Sequence, residues 1–277
     1  MASKLLFLDL DGTAILPGTF DMLPSTRKAL REARENGHKA VICTGRNMGA
    51  VRPVLQYGFD GIIASAGGYI QIGDAVLRDN PIPEEDARLA FRLFRENGVC
   101  IQPETFEKMY IDEALYALLR KVSASSGNSE LVRMRKQADD RLHSLPLSAY
   151  HGETVYKILF ACEDASQLAE PERVLGERYF FLKHPKDQHG ILYGELIYRE
   201  NSKGKAVERV TDYFQKGKED AIAFGDSMND WEMFRACGFR VCMGGGADDM
   251  KKIADYVCPE QNLDGLYQAF VQLGLTS

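Results

Sequence analysis

The chain has 277 residues, of which 45% are hydrophobic and 27% are charged, so it can bury a sizeable core in one large domain or two smaller ones. Its formal net charge of -6 excludes the overall basic excess that is typical of nucleic-acid-binding proteins. The apolar runs are too short to cross a bilayer, and the first residues lack the pattern of a signal peptide. We therefore expect a cytoplasmic protein that binds neither nucleic acid nor membranes.

Six cysteines are scattered singly along the chain, and no two of them form a C-x-x-C pair. This spacing argues against a zinc site and against a redox pair. Most of the cysteines stand in apolar segments that are typical of strands, so we expect buried, reduced thiols.

The first third of the chain alternates short apolar runs with amphipathic segments. Strands are predicted at residues 5–8, 39–43 and 61–64, where the side chains are nearly all apolar. Between the first two strands, Ser25 is predicted to cap a helix that continues to about residue 36. Because strands and helices alternate here, the sequence predicts a parallel sheet.

The pattern changes at the proline-broken segment 80–83, which indicates a domain boundary. Beyond it, strand-like runs joined by short turns alternate with helical segments, which favours an antiparallel α+β layer. The predicted strands are residues 99–102, 108–111, 155–162, 179–183 and 191–198. The predicted helices are residues 84–97, 113–124 and 165–176.

The α/β pattern resumes near Ser202 and closes with a helix that begins at about Asp264. Its predicted strands are residues 221–224, 240–243 and 255–257. The sequence therefore predicts an α/β core that is split into residues 1–81 and 196–277, with a second domain of residues 82–195 inserted between its two parts.

Two acidic loops far apart in the chain share one design. Asp9 and Asp11 follow the first predicted strand, and Asp226 and Asp230 follow the strand of residues 221–224. Open α/β sheets place their binding crevice at the carboxyl ends of the strands. Each pair of like charges about 4 Å apart would cost roughly 4 kcal/mol at an effective dielectric constant near 20. A hard divalent cation removes this cost, so the two loops predict a metal site that suits Mg²⁺.

Four motifs occur in a fixed order, namely Asp-Leu-Asp-Gly-Thr at 9–13, Thr-Gly-Arg at 44–46, Ser-Lys-Gly-Lys-Ala at 202–206 and Gly-Asp-Ser-Met-Asn-Asp at 225–230. Together they resemble the haloacid dehalogenase superfamily of phosphotransferases, in its Cof-type branch with a C2B-type α/β cap. The resemblance implies a Rossmann-like parallel-sheet core with an inserted α+β cap domain. It also implies a Mg²⁺-dependent phosphatase that acts on a small phosphorylated metabolite, such as a sugar phosphate.

The resemblance assigns roles to the acidic residues. Asp9 is the nucleophile that forms an aspartyl-phosphate, and Asp11 is the general acid for the leaving alcohol and then the base for water. We expect Asp11 to be protonated part of the time, as a crowded acidic site favours. The expected metal ligands are Asp9, Asp226, the main-chain carbonyl of Asp11, and Asp230 either directly or through a water molecule.

The phosphate group is predicted to be held by the other three motifs. At the end of a strand, the Thr44 hydroxyl and neighbouring backbone N–H groups such as that of Gly45 can donate to oxygens. Lys203 stands in the first turn of a predicted helix, where its ammonium and the helix N-terminus act together on a phosphoryl group. Asn229 would orient Asp9 or a phosphate oxygen. Arg46 has two readings, a substrate contact or a surface ion pair.

Two other functions stay open at this point. A phosphomutase of the same superfamily would use the same two aspartates, and a catalytically idle phosphate-binding module would use the site for regulation. One departure from the Cof-type pattern bears on the substrate, because Ala66 precedes Gly67 where asparagine is usual. The expected partner is a small phosphate ester, and the chain is expected to be a monomer or a small homo-oligomer.

Overall fold

The computed structural model describes residues 3–120, 134–136, 138–139, 144–187 and 189–276. Within these ranges the strands are β1 (Leu5–Leu8), β2 (Lys39–Cys43), β3 (Gly61–Ala64), β4 (Tyr69–Ile72), β5 (Ala75–Asp79), β6 (Cys100–Thr105), β7 (Met109–Ile111), β8 (Ser144–Pro146), β9 (Val155–Cys162), β10 (Tyr179–Lys183), β11 (Leu192–Tyr198), β12 (Ala221–Gly225), β13 (Phe239–Cys242) and β14 (Tyr256–Val257). The α-helices span Pro24–Glu35, Met48–Val51, Glu84–Glu96, Glu113–Leu119, Ala169–Leu175, Lys203–Tyr213, Trp231–Ala236, Asp248–Ile253 and Gly265–Gln272.

The chain divides into two compact units. Unit 1 contains the residues up to Arg46, the segment Val51–Asp79 and the residues from Ser202 onward, and unit 2 contains Asn47–Ala50 and Asn80–Asn201. Each unit has its own sheet and its own apolar core.

The units differ from the predicted domain boundaries at three places, the first being that the main segment of unit 2 begins at Asn80 and not at residue 82. Residue 195, where the inserted domain was predicted to end, lies inside β11, and this strand pairs with β9 and β10 in the sheet of unit 2. Unit 2 also takes the segment Asn47–Ala50, because the side-chain amide of Asn47 donates to the carbonyl oxygen of Thr105 at 3.0 Å. This hydrogen bond joins residues 58 positions apart, so no local pattern predicts it.

The sheet of unit 1 has the strand order β14-β13-β12-β1-β2-β3-β4-β5. The strands from β14 to β3 are parallel, as predicted, and β4 and β5 extend the sheet in antiparallel fashion. The predicted fold class is therefore confirmed for this unit. The hairpin of β4 and β5 was not predicted, because β5 is only half buried and its apolar run is only three residues long.

The central strands of unit 1 are apolar throughout because both faces of the sheet are covered. All residues of β1 and β12 are buried, so the sequence shows a continuous apolar run instead of alternation. On one face, Leu5 and Phe7 join an apolar cluster with Val207 and Val210 of the helix Lys203–Tyr213. This packing fixes the carboxyl ends of β1 and β12 beside the start of that helix.

The first helix begins two residues earlier than predicted. Its N-cap is Leu23, and Pro24 occupies the first helical position, where a missing N–H costs nothing. The hydroxyl of Ser25, which was predicted to cap this helix, instead donates to the carboxylate of Asp264.

The sheet of unit 2 has the strand order β10-β11-β9-β6-β7-β8. Its pairs are antiparallel except for β7 and β8, which are parallel, so the predicted antiparallel layer is present with one added edge strand. The helix predicted at 113–124 covers Glu113–Leu119, and residues 121–124 lie outside the described residues. The segment predicted as the helix 165–176 begins with a 3₁₀ turn before the helix Ala169–Leu175.

Two further predictions concern membrane-spanning helices and the state of the cysteines. Every helix in the part of the chain that the structure describes is too short or too polar to traverse a bilayer. The six cysteines are free thiols, and all but the half-buried Cys100 are buried, as predicted.

A buried ion cluster lies within the sheet of unit 2. The Nζ atom of Lys157 on β9 lies 3.1 Å from a carboxylate oxygen of Glu195 and 3.5 Å from one of Glu104. Loss of the cation would leave buried carboxylates, so we expect Lys157→Met to lower the free energy of unfolding by about 3–5 kcal/mol. As a control, Lys252→Met breaks the fully exposed pair with Asp249 and should have a much smaller effect. Urea denaturation measures both variants, and equal losses would contradict the expectation.

Candidate active site

The loop after β1 carries the first two acidic residues. The backbone N–H of Asp9 donates to the carbonyl of Phe224 at 2.9 Å, which ties this loop to the end of β12. Gly12 has a φ of +79°, so the chain turns sharply just after Asp11. The side chains of Asp9 and Asp11 are both buried, and they contact different cations.

The loop after β12 carries the acidic residues of the fourth motif. One carboxylate oxygen of Asp230 accepts from the backbone N–H groups of Asp226 and Ser227, at 3.1 and 3.3 Å. These bonds fold the loop back on itself, so that Asp226 and Asp230 lie side by side at the end of the strand. Both residues are buried.

The two loops bring three carboxylates together. Asp9, Asp226 and Asp230 each offer an oxygen within 4.8 Å of the others. Lys203 enters the same cluster, since its Nζ atom lies 2.7 Å from Asp9 Oδ1 and 2.6 Å from Asp230 Oδ1. Three carboxylates and one ammonium leave two negative charges, which is the charge that one divalent cation compensates.

Two glycines bring the backbone against these carboxylates. A Cβ atom at Gly12 would lie 2.5 Å from Asp226 Oδ2, and one at Gly225 would lie 2.5 Å from Asp230 Oδ2. Any larger residue would therefore push the acidic side chains out of the cluster. The oxygen donors, their net charge and this close approach fit a hard divalent cation such as Mg²⁺.

Burial and mutual repulsion shape the acidity of the cluster. Burial raises the pKa of Asp9 to about 8; the nearby carboxylate of Asp230 adds to the rise, and Lys203 opposes it. For Lys203 the strongest influence, burial, lowers the pKa, but the carboxylates of Asp230 and Asp9 together raise it well above its ordinary value. Lys203 is therefore a permanent cation in this site.

The carboxylate of Asp11 does not join this cluster. It forms a buried ion pair with Arg46 instead. The two side chains meet through two hydrogen bonds, at 2.7 Å from Nε and 2.6 Å from Nη2 of Arg46. The backbone N–H of Gly18 also donates to the Asp11 carboxylate at 2.8 Å. The predicted acidic surroundings of Asp11 therefore include a guanidinium, which the spacing of the two motifs did not reveal.

This pair bears on the ion-pair reading of Arg46. Arg46 is an ion-pair partner, but its side chain is 1% exposed and thus does not lie at the surface as that reading assumed. Its Nη2 atom also donates to the carbonyl of Thr19 at 3.0 Å, so the guanidinium joins the loop after β1 to the loop after β2. Contact of Arg46 with a substrate stays a prediction.

The other predicted phosphate-binding residues lie at these same strand ends. The Thr44 hydroxyl accepts from the backbone N–H of Arg46 at 3.2 Å and so shapes the turn that contains Gly45. The Asn229 carbonyl oxygen accepts from Lys203 Nζ at 3.1 Å and from the Ser227 hydroxyl at 3.0 Å. Asn229 therefore contacts Lys203, and its predicted contact with Asp9 or with phosphate stays a prediction.

Sequence reasoning missed a tight turn beside the site. Residues Ser65 to Gly67 follow β3, and the backbone N–H of Ser65 donates to the carbonyl of Arg46 at 2.8 Å. The pair Gly67-Gly68 was the available signal, since paired glycines mark a turn that other residues rarely form.

Comparison with known proteins defines the class. The family profile of the haloacid dehalogenase-like hydrolases matches residues 6–270, and the chain belongs to this family, as the four motifs predicted. It is 29% identical over 276 residues to the putative phosphatase YkrA of Bacillus subtilis, with 99% of each chain covered. It is 28% identical over 279 residues to the pyridoxal phosphate phosphatase YbhA of Escherichia coli, with 97% of each chain covered.

A solved structure supports the fold. The subclass IIB sugar phosphatase BT4131 superposes with a TM-score of 0.73 at 23% identity, covering 99% of this chain and 100% of that chain. The family match and the named relatives define the catalytic class: the protein is a phosphatase, that is, a phosphoric monoester hydrolase.

Proposed function

We propose that this phosphatase depends on Mg²⁺ and hydrolyses a small phosphorylated metabolite, such as a sugar phosphate, through an aspartyl-phosphate on Asp9. The observation that carries the proposal is the buried cluster of Asp9, Asp226 and Asp230 around Lys203. Three ionised carboxylates this close repel one another, and one ammonium offsets only part of their charge, so the cluster favours a bound cation.

The metal would be held by Asp9, Asp226 and Asp230, with the main-chain carbonyl of Asp11 as a further ligand. When bound, Mg²⁺ supplies positive charge that offsets the repulsion between an anionic nucleophile and an anionic ester. The residues Gly12 and Gly225 keep room for this arrangement by letting the backbone approach the carboxylates.

In the first step, Asp9 attacks the phosphorus and displaces the alcohol, and in the second step water cleaves the acyl-phosphate bond. Lys203 holds Asp9 in place through a 2.7 Å contact and provides a cation for the transferring phosphoryl group. Asp11 gives a proton to the leaving alcohol and later takes one from the attacking water. Its partner Arg46 holds the Asp11 carboxylate in place through two hydrogen bonds, at 2.7 and 2.6 Å.

The proposal includes the core-and-cap organisation, in which unit 1 carries the catalytic residues and unit 2 is the cap that selects the leaving group. The choice of a sugar phosphate or a related ester is supported by the relatives, one named a pyridoxal phosphate phosphatase and another a sugar phosphatase. These compounds share a single phosphate on a small polar leaving group.

A phosphatase screen tests the proposal directly. We expect phosphate release from at least one of a panel of sugar, polyol, glycerate, nucleotide and pyridoxal phosphates, with loss of activity in chelator and recovery on addition of Mg²⁺. Activity only in the presence of a sugar bisphosphate would indicate a mutase instead. Binding of phosphate without turnover of any ester would contradict the proposal.

The pKa of Asp9 gives a prediction about metal binding. Since burial raises this pKa to about 8, Asp9 keeps its proton near neutral pH in the metal-free protein, and a bound cation must displace it. We expect Mg²⁺ binding to release about one proton at roughly pH 6.5 and almost none at about pH 9, so that affinity rises with pH and levels off above about 8. Potentiometric titration with MgCl₂ measures this release, and Asp9→Asn should abolish it. A release that does not vary with pH would contradict the expectation.

A further inference from the structure

The turn after β3 has an unusual backbone. Three consecutive residues, Ser65, Ala66 and Gly67, have φ angles of 49°, 56° and 97°. The backbone of an L-residue that has a side chain rarely adopts these left-handed φ angles, so Ser65 and Ala66 are strained. Such strain persists only where the surroundings hold the backbone in place, and it is concentrated at functional sites.

One side of this turn is tied to the second motif. The backbone N–H of Ser65 donates to the carbonyl of Arg46 at 2.8 Å, and that of Ala66 donates to the carbonyl of Thr44 at 3.1 Å. The turn is therefore fixed to the loop that follows β2.

The other side of the turn lies against the start of the helix Lys203–Tyr213. A Cβ atom at Gly67 would lie 2.4 Å from the carbonyl oxygen of Ser202 and 2.8 Å from its carbonyl carbon. Ser202 is the N-cap of this helix, since its hydroxyl accepts from the backbone N–H of Lys205 at 3.1 Å. Ser202 also directly precedes Lys203, whose ammonium contacts the acidic cluster.

The start of the helix Lys203–Tyr213 is also packed closely on its other side. A Cβ atom at Gly204 would lie 2.8 Å from the carbonyl oxygen of Glu232, so the first turn of the helix also touches the backbone of the helix Trp231–Ala236. Backbone atoms on both sides therefore set the position of Ser202 and of the residue after it. A shift of the turn at Gly67 or of the helix Trp231–Ala236 would therefore move Lys203.

We propose that Gly67 is a positioning residue for Lys203. Its missing side chain lets the strained turn lie against Ser202, and this contact places the Lys203 ammonium between Asp9 and Asp230, at 2.7 and 2.6 Å. The inference rests on the proposed function, because Lys203 serves the reaction only if Asp9 is the nucleophile.

A matched pair of variants tests the contact. Gly73 also has a positive φ, of 53°, but a Cβ atom there meets nothing within 4 Å. Gly67→Ala and Gly73→Ala both place an alanine at a positive φ, and only the first displaces Ser202. Because a misplacement of about 1 Å can cost roughly 100-fold in rate, we expect kcat/KM of Gly67→Ala for p-nitrophenyl phosphate to be at least about 10-fold below that of Gly73→Ala.

A double-mutant cycle shows whether the effect passes through Lys203. In a Lys203→Met background, where residual activity from the other groups remains, Gly67→Ala should change kcat/KM by less than about twofold. The same loss in both backgrounds would mean a general structural role and would overturn the proposal, as would equal activity of Gly67→Ala and Gly73→Ala. Full activity of Lys203→Met would instead overturn the catalytic role of Lys203, and this proposal with it.

A second variant covers the case in which Gly67→Ala does not fold. Ala66→Gly adds no atom and relieves the strain at that position, but it loosens the turn. We expect kcat/KM to fall by at least about threefold in the wild-type background and to stay unchanged in the Lys203→Met background. An unchanged kcat/KM in the wild-type background would overturn the proposal.

Discussion

Replacing Asp9 by Asn is expected to lower kcat/KM for p-nitrophenyl phosphate by at least about 1,000-fold, because an amide cannot form the covalent intermediate. The side chain keeps its size and stays within reach of Lys203, so the loss reports chemistry and not packing. Asp74→Asn makes the same chemical change at an exposed turn and should retain full activity. Retention of activity in Asp9→Asn would remove the nucleophile from the mechanism.

The same substitution is expected to stabilise the metal-free protein, and more so as the pH rises. Burial raises the pKa of Asp9 to about 8, whereas the same carboxyl in the unfolded chain ionises near its ordinary value. The wild-type protein therefore loses stability as the pH rises from about 4 to about 8, while an asparagine loses none. Urea denaturation in chelator at about pH 5 and pH 8 should show a widening difference between the two proteins. A constant difference would contradict the raised pKa.

Replacing Lys203 by Met has the second largest expected effect. Lys203 is the cation that contacts both Asp9 and Asp230, and its loss removes a fixed charge aimed at the phosphoryl group. We expect kcat to fall by about 100- to 1,000-fold, the range typical of one lost electrostatic contact in a transition state.

The neighbouring lysine provides the control for this prediction. Lys205 lies in the same helix turn but is exposed, so Lys205→Met should retain activity within about twofold. Steady-state kinetics at saturating Mg²⁺ compares the two variants. Equal activities would show that Lys203 serves only to fold the cluster.

The sequence predicts that Asp9, Asp226 and Asp230 lie close together, because this depends only on which strands they follow. Each residue follows a short apolar run, and parallel strands bring their carboxyl ends to one edge of a sheet. The helix that carries Lys203 could be placed in the same way, since Ser202 is a typical N-cap and the apolar residues recur at helical spacing.

The partners of these side chains could not be predicted, because they depend on side-chain directions that motifs do not encode. Asp11 stands two residues after Asp9, yet it contacts Arg46, while Asp9 contacts Lys203. Arg46 had two readings at the sequence level, and neither included a buried bidentate pair. Such a choice is made by rotamers and packing within a finished fold.

Two backbone features also escaped sequence reasoning. The strand β5 is half exposed, and its three apolar residues form a run that is too short, and does not alternate with polar residues, for strand prediction. The left-handed turn at Ser65 and Ala66 uses residues that rarely adopt a positive φ, so tertiary contacts with the loop after β2 override local preference there.

Asp226 is expected to be a ligand of the magnesium site that the three carboxylates form. Calorimetric titration of the metal-free protein with MgCl₂ measures this most directly, with Asp226→Asn as the test variant and Asp74→Asn as the control. We expect one Mg²⁺ per chain in the wild-type protein and in the control, and no detectable binding in Asp226→Asn. Undiminished binding in Asp226→Asn, or none in the wild type, would contradict the claim.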